Sequence, residues 1–405
     1  MTQRLVPHSS HGAATFAFQQ WGKGNAKKIL CMHGWLDNSS SFSYLGPALA
    51  QRGFDVVAVD HSGHGRSSHL GPPGSAASYS YTHGVQSIKL VLECLSSGSG
   101  SSSGSGVSSV MPPPPPSTVS ASTGGGTGGT PTGGGWDQPY AVVGHSMSSG
   151  MCLLFAASFP EHLQRLVLIE GFGPLTSQPE DAAKVLRKGI ASECKYRDNL
   201  GTRPARIYPS LETAIDTRVA VVITYPGKQS LSRAAAAAIV GRGARLASDN
   251  VGMDHTGGDD SVGDLLESNP SQKAAPVRFR YDPRLTQPSH QYFTNDQVSG
   301  FTNAIQAPTL LITAEEGWPA QVPAVMEARK KLLSDKGLLT HCHLPGSHHL
   351  HLDEGHREAV LDSLLCFFAN AGATADAQGA ADAAAAAGNK EKAPGGGLNH
   401  PFYRD

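Results

Sequence analysis

The sequence has no excess of either charge, since 32 Lys and Arg residues are matched by 33 Asp and Glu residues and the net charge is −1. The basic residues are scattered along the chain. Proteins that bind nucleic acid or an acidic membrane surface concentrate positive charge in one region. The composition therefore argues against either as the main partner.

Long apolar segments are also absent. The N-terminus has no apolar signal-peptide core, and no window of sequence is long and apolar enough to cross a bilayer. The final tripeptide, Tyr403-Arg404-Asp405, is not a peroxisomal address. These absences predict a cytoplasmic protein without a membrane span.

Cysteine is scarce, with six residues in 405, and their spacing matches no metal site. A chain of this length needs no disulfide framework to support its core. Most of the cysteines lie inside apolar strand or helix patterns, so we expect free, buried thiols in a reducing compartment. The sequence predicts no metal and no cofactor.

Two segments offer no apolar side chains to form a core. Residues 96–135 are almost entirely Ser, Gly, Pro and Thr, and the tail 371–405 begins with a run of mostly Ala and Gly. Such segments cannot bury enough apolar surface to offset the entropy lost on ordering them, so we predict that both are linkers without a core. The proline run 112–116 leaves open a second interpretation, a docking ligand for a partner protein, with the chain acting as a scaffold.

The rest of the chain predicts an α/β fold with a mostly parallel, doubly wound sheet. Short apolar runs typical of buried parallel strands alternate with helical periodicity. The predicted strands lie at 29–32, 56–59, 141–143, 166–169, 310–312 and 339–344. The alternation fails over 174–304, so we expect a core in two halves, 1–173 and 305–370, with 174–304 inserted between them as a helical lid. A predicted helix at 230–247 belongs to this lid.

The strongest motif is Gly144-His145-Ser146-Met147-Ser148. It follows a predicted buried strand and opens an apolar helix, which is the context of a nucleophile elbow. The usual pattern ends in Gly, and Ser148 is small enough to stand there. Ser146 is therefore the candidate nucleophile, and the alternative is a chance match.

Two other turns, at His33-Gly34-Trp35 and at the Gly-rich segment 60–67, follow predicted strands. In an elbow arrangement, the N–H after the nucleophile and an N–H from the loop after an earlier strand hold an oxyanion. Met147 and Trp35 are the expected donors, although the turn at Trp35 has a purely structural alternative. The turn 60–67 lacks the Lys-Ser/Thr of a phosphate loop, and we interpret it as structural.

A serine hydroxyl needs a base, and the base needs a partner, usually a carboxylate. The segment 346–353 follows the last predicted strand, and the chain order of serine then histidine fits an elbow enzyme. His348 is the preferred base, with His349 as the fallback. The five histidines in 341–351 match no common zinc spacing. Glu170 and Glu316 each follow a strand and are the candidate acids, with Glu315 a weaker third.

With these residues in view, the chain resembles the serine-hydrolase-like branch of the α/β-hydrolase superfamily. The resemblance extends over about 28–368 and is carried by the segments 33–38, 60–67, 144–147, 170–175 and 346–352. The lid segment 281–289 also resembles this branch, which makes the match more specific. The resemblance implies hydrolysis of a small ester-like substrate. Dehalogenases and epoxide hydrolases share the fold but use a carboxylate nucleophile, and Ser146 argues against both. Thioester, lactone and carbon–carbon bond hydrolases keep the serine and remain open.

The resemblance also bears on the choice of acid. After the strand at 310–312, relatives usually place an Asp at the end of a turn, and here Gly317 occupies that place. Glu316 lies one residue too early, so its side chain points another way. Some superfamily members place their acid where Glu170 lies, and a Glu reaches one methylene farther than an Asp. We therefore prefer Glu170 as the acid, with a buried carboxylate that merely holds the 171–173 turn as the alternative.

The fold does not fix the function. The chain is expected to be a serine hydrolase of the esterase or lipase type. The alternative is a non-catalytic, receptor-like protein that binds a ligand in the same fold, because such proteins can retain the triad residues. Turnover of a generic acyl ester distinguishes the hydrolase from the receptor-like protein.

Overall fold

A computed structural model describes residues 3–5, 15–71, 78–98, 135–200, 206–248 and 264–370 of the chain. Three predicted segments fall wholly or almost wholly outside these residues: the Ser/Gly/Pro insert 96–135, a Gly/Asp-rich loop of the lid at about 249–264, and the C-terminal tail 371–405. Among the helices within these ranges, none is long and apolar enough to cross a membrane.

A central sheet of eight strands organises the molecule, in the order β1-β2-β4-β3-β5-β6-β9-β10. The strands are β1 (Gln3–Leu5), β2 (Phe16–Trp21), β3 (Lys27–Met32), β4 (Phe54–Val59), β5 (Ala141–His145), β6 (Leu166–Ile169), β9 (Thr309–Ala314) and β10 (Leu339–Leu344). β1 pairs antiparallel with β2, and β2 pairs antiparallel with β4. The other neighbours are parallel. The predicted mostly parallel α/β sheet is confirmed.

Helices cover both faces of the sheet because its inner strands are apolar on both sides. They are α1 (Leu45–Ala50), α2 (Tyr81–Gly98), α3 (Met147–Ser158), α9 (Pro323–Ser334) and α10 (Arg357–Ala369). Residues of α2, α3 and α9 form one buried apolar core with one face of the sheet, and residues of α1 and α10 form the second core with the other face. These two cores hold the C-terminal ends of the parallel strands in fixed positions.

The segment between β6 and β9, called the cap below, contains its own elements. These are α4 (Ala182–Asp198), α5 (Leu211–Val222), α6 (Arg233–Gly243), β7 (Ala244–Leu246), α7 (Pro270–Ala274), β8 (Val277–Phe279) and α8 (Asn295–Ala304). Ile215, Ile239 and Val277 belong to a third apolar cluster that lies mostly within the cap. The helix predicted at 230–247 ends at Gly243, because the next three residues pair with β8 as a strand. α8 packs on α3.

Candidate active site

Three non-glycine residues have a positive φ within the described ranges, and all three follow strands of the central sheet. They are Leu36 after β3, Ser146 after β5 and Glu170 after β6, with φ of 59°, 55° and 55°. L-residues adopt this conformation at a cost, so it persists only where the surroundings enforce it. The strain is concentrated at one end of the sheet, where the sequence predicts the reactive residues.

Ser146 occupies a sharp turn between β5 and α3, with φ 55° and ψ −118°. The chain packs so closely here that a Cβ on Gly144 would lie 2.5 Å from the carbonyl oxygen of Ser148, and one on Gly171 would lie 2.9 Å from that of Ser146. Small residues are therefore required on both sides of the turn. This is the geometry of a nucleophile elbow, with the serine only partly buried.

The structure brings Ser146, His348 and Glu170 together although they are far apart in sequence. Nε2 of His348 lies 2.7 Å from Oγ of Ser146, and Nδ1 of His348 lies 3.0 Å from Oε2 of Glu170. The imidazole is 13% exposed and the carboxylate is fully buried. With its Nδ1–H donated to the carboxylate, His348 presents Nε2 as an acceptor for the serine proton.

Backbone amides hold the carboxylate of Glu170. The N–H of Ala314 donates to Oε1 at 2.6 Å, and the N–H of Trp318 donates to Oε2 at 2.8 Å. Both donors belong to β9 or to the turn that follows it. A carboxylate that accepts hydrogen bonds from these two N–H groups and from the imidazole has its hydrogen-bonding capacity met although it is fully buried.

The alternative acids lie elsewhere. The side chain of Glu316 is 45% exposed and lies 3.7 Å from Nζ of Lys228. Glu315 is exposed as well. The fallback base His349 turns away from the serine, with its Nε2 3.2 Å from Oδ2 of Asp37. Of the sequence candidates for base and acid, the structure places only His348 and Glu170 in line with Ser146.

The loop expected to supply an oxyanion donor lies against the nucleophile. A Cβ on Gly34 would lie 2.9 Å from Nδ1 of His145 and 3.2 Å from Cβ of Ser146, so glycine suits this close approach. The indole N–H of Trp35 donates to the carbonyl of Leu285 in the cap at 2.9 Å, which anchors the loop. Met147 is the first residue of α3, where backbone N–H groups point away from the helix. Met147 thus directly follows Ser146 in the chain, and Trp35 directly follows the glycine that lies against Ser146.

Ser148 has a role that the sequence reasoning missed. Its hydroxyl donates a short hydrogen bond to the carbonyl of His33 and lies 2.6 Å from Nε2 of His61. The backbone N–H of His61 in turn donates to Nε2 of His33 at 3.0 Å. Burial holds the pKa of His61 well below its usual range, so the ring is neutral. The serine thus ties the elbow to the oxyanion loop. The only signal in the sequence was Ser148 in the place of the usual glycine.

Asp37 forms a second buried centre behind the triad. Its Oδ1 accepts from Nη2 of Arg218 in α5 at 2.6 Å, and His145 of the elbow lies 3.9 Å from its Oδ2. Burial alone would raise the pKa of Asp37, but His349 and Arg218 beside the carboxylate hold that pKa well below its usual range. One carboxylate therefore connects the oxyanion loop, the elbow, the His348 loop and the cap.

The turn 60–67 is held by its own aspartate. Asp60 accepts from the backbone N–H of Ser39 at 2.7 Å and of Arg66 at 2.9 Å. Arg242 of the cap lies 2.8 Å from its carboxylate. Burial would raise the pKa of Asp60, but the Arg242 guanidinium lowers it to about 2. The turn is thus a structural junction between core and cap.

Metal-ligating side chains are not grouped in the part of the chain that the structure describes, where no set of three or more His, Cys, Asp or Glu residues could hold an ion. His341 and His343, two of the five histidines in 341–351, each lie 2.9 Å from the hydroxyl of Thr313.

The chain is similar to known proteins of this fold. Residues 27–101 match the family model described as alpha/beta hydrolase fold. A serine hydrolase-like protein of Dictyostelium discoideum is 24% identical over 83% of this chain and 74% of its own length. A serine hydrolase-like protein of Danio rerio is 28% identical over 47% of this chain and 45% of its own length.

Solved structures share the fold. The crystal structure of a hypothetical protein from Pseudomonas aeruginosa PAO1 superposes with a TM-score of 0.64 at 26% identity, covering 91% of this chain and 98% of that chain. A thioesterase domain from the curacin biosynthetic pathway gives a TM-score of 0.59 at 20% identity, covering 90% and 99%. With its sheet and its elbow, the chain has the α/β-hydrolase fold, and it is similar to serine hydrolase-like proteins.

Proposed function

We propose that the protein is a serine hydrolase that cleaves a small ester-like substrate through an acyl-enzyme on Ser146. The observation that carries the proposal is the continuous chain of hydrogen bonds from Oγ of Ser146 through both ring nitrogens of His348 to Oε2 of Glu170, at 2.7 and 3.0 Å. Each member is oriented by its neighbour, as general-base activation of a serine requires.

In the first half of the reaction, Oγ of Ser146 attacks the carbonyl carbon of the ester while Nε2 of His348 takes the hydroxyl proton. The negative charge that develops on the carbonyl oxygen is stabilised by the backbone N–H groups of Met147 and Trp35. The C–O bond to the leaving group then breaks. His348 returns its proton to the departing oxygen, and the acyl group remains on Ser146.

The second half reverses these roles with water. Nε2 of His348 takes a proton from a water molecule as its oxygen attacks the acyl carbon. The bond to Oγ of Ser146 breaks, the proton returns to Oγ, and the carboxylic acid leaves. The buried carboxylate of Glu170 stabilises the imidazolium in both halves, which is the role of the acid in such triads.

The cap is the proposed source of the walls of the substrate pocket. It contacts the site loops at several points, through Trp35 with Leu285 and through Asp37 with Arg218. An insertion over the C-terminal ends of parallel strands lies where α/β sheets bind ligands. Its side chains therefore determine which acyl or leaving groups fit.

We also place the enzyme in the cytoplasm. All six cysteines lie within the described ranges and all are free thiols. Free thiols persist in a reducing compartment, which supports this location. Fluorescence microscopy of a tagged full-length chain tests it, and an extracytoplasmic signal would refute it.

The test of the activity is labelling with a fluorophosphonate, followed by peptide mapping of the adduct and assay of 4-nitrophenyl esters. We expect the adduct on Ser146, and we expect Ser146→Ala to abolish labelling and to lower ester turnover by roughly 10³-fold or more. Ser158→Ala, at the other end of α3, is the matched control. An adduct on another serine would overturn the assignment. A folded protein that neither labels nor turns over esters would favour the receptor-like alternative.

A further inference from the structure

Gln229 is a buried amide that the sequence reasoning did not single out. It lies in the cap, in the loop between α5 and α6, and is 6% exposed. The loop turns at Gly227, whose φ of 86° suits glycine. This turn directs the Gln229 side chain from the cap towards the loops that carry the catalytic base and hold the acid.

Both the oxygen and the nitrogen of the Gln229 amide form hydrogen bonds. Its Oε1 accepts from the backbone N–H of His348 at 3.0 Å, and its Nε2 donates to the carbonyl of Glu316 at 2.6 Å and to that of Pro226 at 2.9 Å. A backbone N–H can only donate and a carbonyl can only accept. These partners therefore fix the orientation of the amide, and a flipped one would lose all three bonds.

The two loops that Gln229 joins hold two members of the triad. One is the loop of His348 itself. The other is the turn after β9, in which the N–H of Trp318, two residues beyond Glu316, donates to the carboxylate of Glu170. A single side chain of the cap thus fixes the distance between the base and the turn that supports the acid.

The neighbouring residue reinforces the contact. The N–H of Ser230 lies 3.2 Å from Oγ of Ser347, and that hydroxyl donates to the carbonyl of Ser230 at 2.8 Å. Ser347 is buried and directly precedes His348. Two consecutive residues of the cap therefore bind two consecutive residues of the base loop.

We propose that Gln229 is a positioning residue that sets the place of His348 relative to Ser146 and Glu170, so that the cap completes the catalytic site. This inference rests on the proposed serine-hydrolase function. Gln229 acts through the backbone of His348. A displacement of about 1 Å in a reacting group can cost roughly 10²-fold in rate, so loss of this tether is expected to lower the chemical step more than substrate binding.

The test compares Gln229→Met, which keeps the length of the side chain but makes none of the three hydrogen bonds, with Gln321→Met. Gln321 is an exposed glutamine whose amide lies against the same turn at Gly227, so its variant controls for changes at this junction. For 4-nitrophenyl acetate we expect Gln229→Met to lower kcat by roughly 10- to 100-fold with KM changed less than about threefold. The control is expected to leave both constants within about twofold.

A second readout separates positioning from packing. The proton between Nδ1 of His348 and Glu170 gives a downfield proton resonance in NMR spectra when the two groups are held together. We expect Gln229→Met to shift or broaden this resonance while the dispersed spectrum of the folded protein persists. Ser347→Ala, a milder change in the same contact, is expected to lower kcat in the same direction by a smaller factor.

A folded Gln229→Met variant with unchanged kcat and an unchanged His348 resonance would overturn the proposal and leave the amide a purely structural contact. If Gln229→Met does not fold, Ser347→Ala decides by the same two measurements. If the wild-type protein neither labels nor turns over ester, the proposed function fails. The resonance still tests the positioning of His348 in that case, because it requires no turnover.

Discussion

The carboxylate of Glu170 fills the space that a side chain at position 317 would occupy. A Cβ built on Gly317 would lie 2.1 Å from Oε2 and 2.3 Å from Oε1 of Glu170. The acid thus reaches from the end of β6 to the position that a residue after β9 would otherwise supply. Glycine at 317 and glutamate at 170 are two parts of one arrangement.

This relationship predicts that the acid can be moved. Gly317→Asp alone is expected to lose most activity, because two carboxylates would compete for one buried space. Glu170→Gly removes the original acid at a positive φ that glycine tolerates. We expect the double variant to turn over ester at least about tenfold faster than Glu170→Gly, because a carboxylate then again faces His348.

Ester turnover and circular dichroism of the three variants measure the outcome. Gly300→Asp is the matched control, because a Cβ at that position meets nothing within 4 Å. A folded double variant no more active than Glu170→Gly would show that the space at 317 cannot host the acid.

Replacing each candidate glutamate by glutamine tests which of them is the acid of the triad. Glu170→Gln is expected to lower kcat by roughly 10²- to 10⁴-fold, because the amide cannot stabilise the imidazolium of His348. Glu316→Gln is expected to be mild, because that side chain is 45% exposed and faces Lys228. Steady-state kinetics on one aryl ester compares the two. A large loss of kcat in Glu316→Gln with a mild effect in Glu170→Gln would identify Glu316 as the acid instead.

The hydroxyl of Ser148 supports the oxyanion loop in our interpretation. Ser148→Ala leaves the ring N–H of His61 and the carbonyl of His33 buried without this partner, at a cost of about 1–3 kcal/mol. We expect lower unfolding free energy in urea and a several-fold loss of kcat. Ser97→Ala, which removes an exposed hydroxyl bonded to the carbonyl of Glu93 in its own helix, serves as the control. Equal stability of the two variants would contradict the role of Ser148.

The pair of Asp37 and Arg218 is expected to hold the cap to the core. Their side chains are 1% and 10% exposed. Arg218→Met therefore leaves a buried carboxylate without its cationic partner, which typically lowers the free energy of unfolding by about 3–5 kcal/mol. Arg233→Met breaks two exposed pairs of the same cap, which are worth about 0–1 kcal/mol. Thermal and urea unfolding measure both variants. A Tm of Arg218→Met as high as that of Arg233→Met would refute the assignment.

Buried histidines predict acid sensitivity. Burial lowers the pKa of His64 and of His351 to about 3, so each ring is neutral in the folded protein but titrates near 6.5 when unfolded. The unfolded chain therefore binds more protons below about pH 6.5, and stability falls as the pH falls towards 3. At pH 5 each histidine is expected to cost about 2 kcal/mol of unfolding free energy relative to pH 8.

His351→Met isolates this effect, because neither ring nitrogen of His351 has a hydrogen-bond partner among the described residues. The loss of stability between pH 8 and pH 5 is expected to be smaller in this variant by about 2 kcal/mol. His162→Gln, at a partly exposed ring, is the control. An unchanged pH dependence in His351→Met would show that His351 is not responsible.

Much of the fold was readable from local patterns. Short apolar runs predict β3, β4, β5, β6 and β9, because parallel strands buried on both faces leave no polar alternation. The elbow was readable for a related reason: strand, small residues and apolar helix are adjacent in sequence around Ser146. The boundary of the helix at 230–247 was wrong, because pairing of Ala244–Leu246 with β8 overrides the local helical preference.

By itself, the sequence determined which residues could react, namely Ser146, a histidine after β10 and a glutamate after β6 or β9. Only the tertiary structure decided that the side chain of Glu170 meets His348 while that of Glu316 faces solvent. It also brought Gln229 of the cap, 119 positions away, to the backbone of His348. Local periodicity fixes the elements, because helices and strands depend on neighbouring residues. Which side chains meet depends on the directions in which strand ends and loops point, and packing over the whole chain sets those directions.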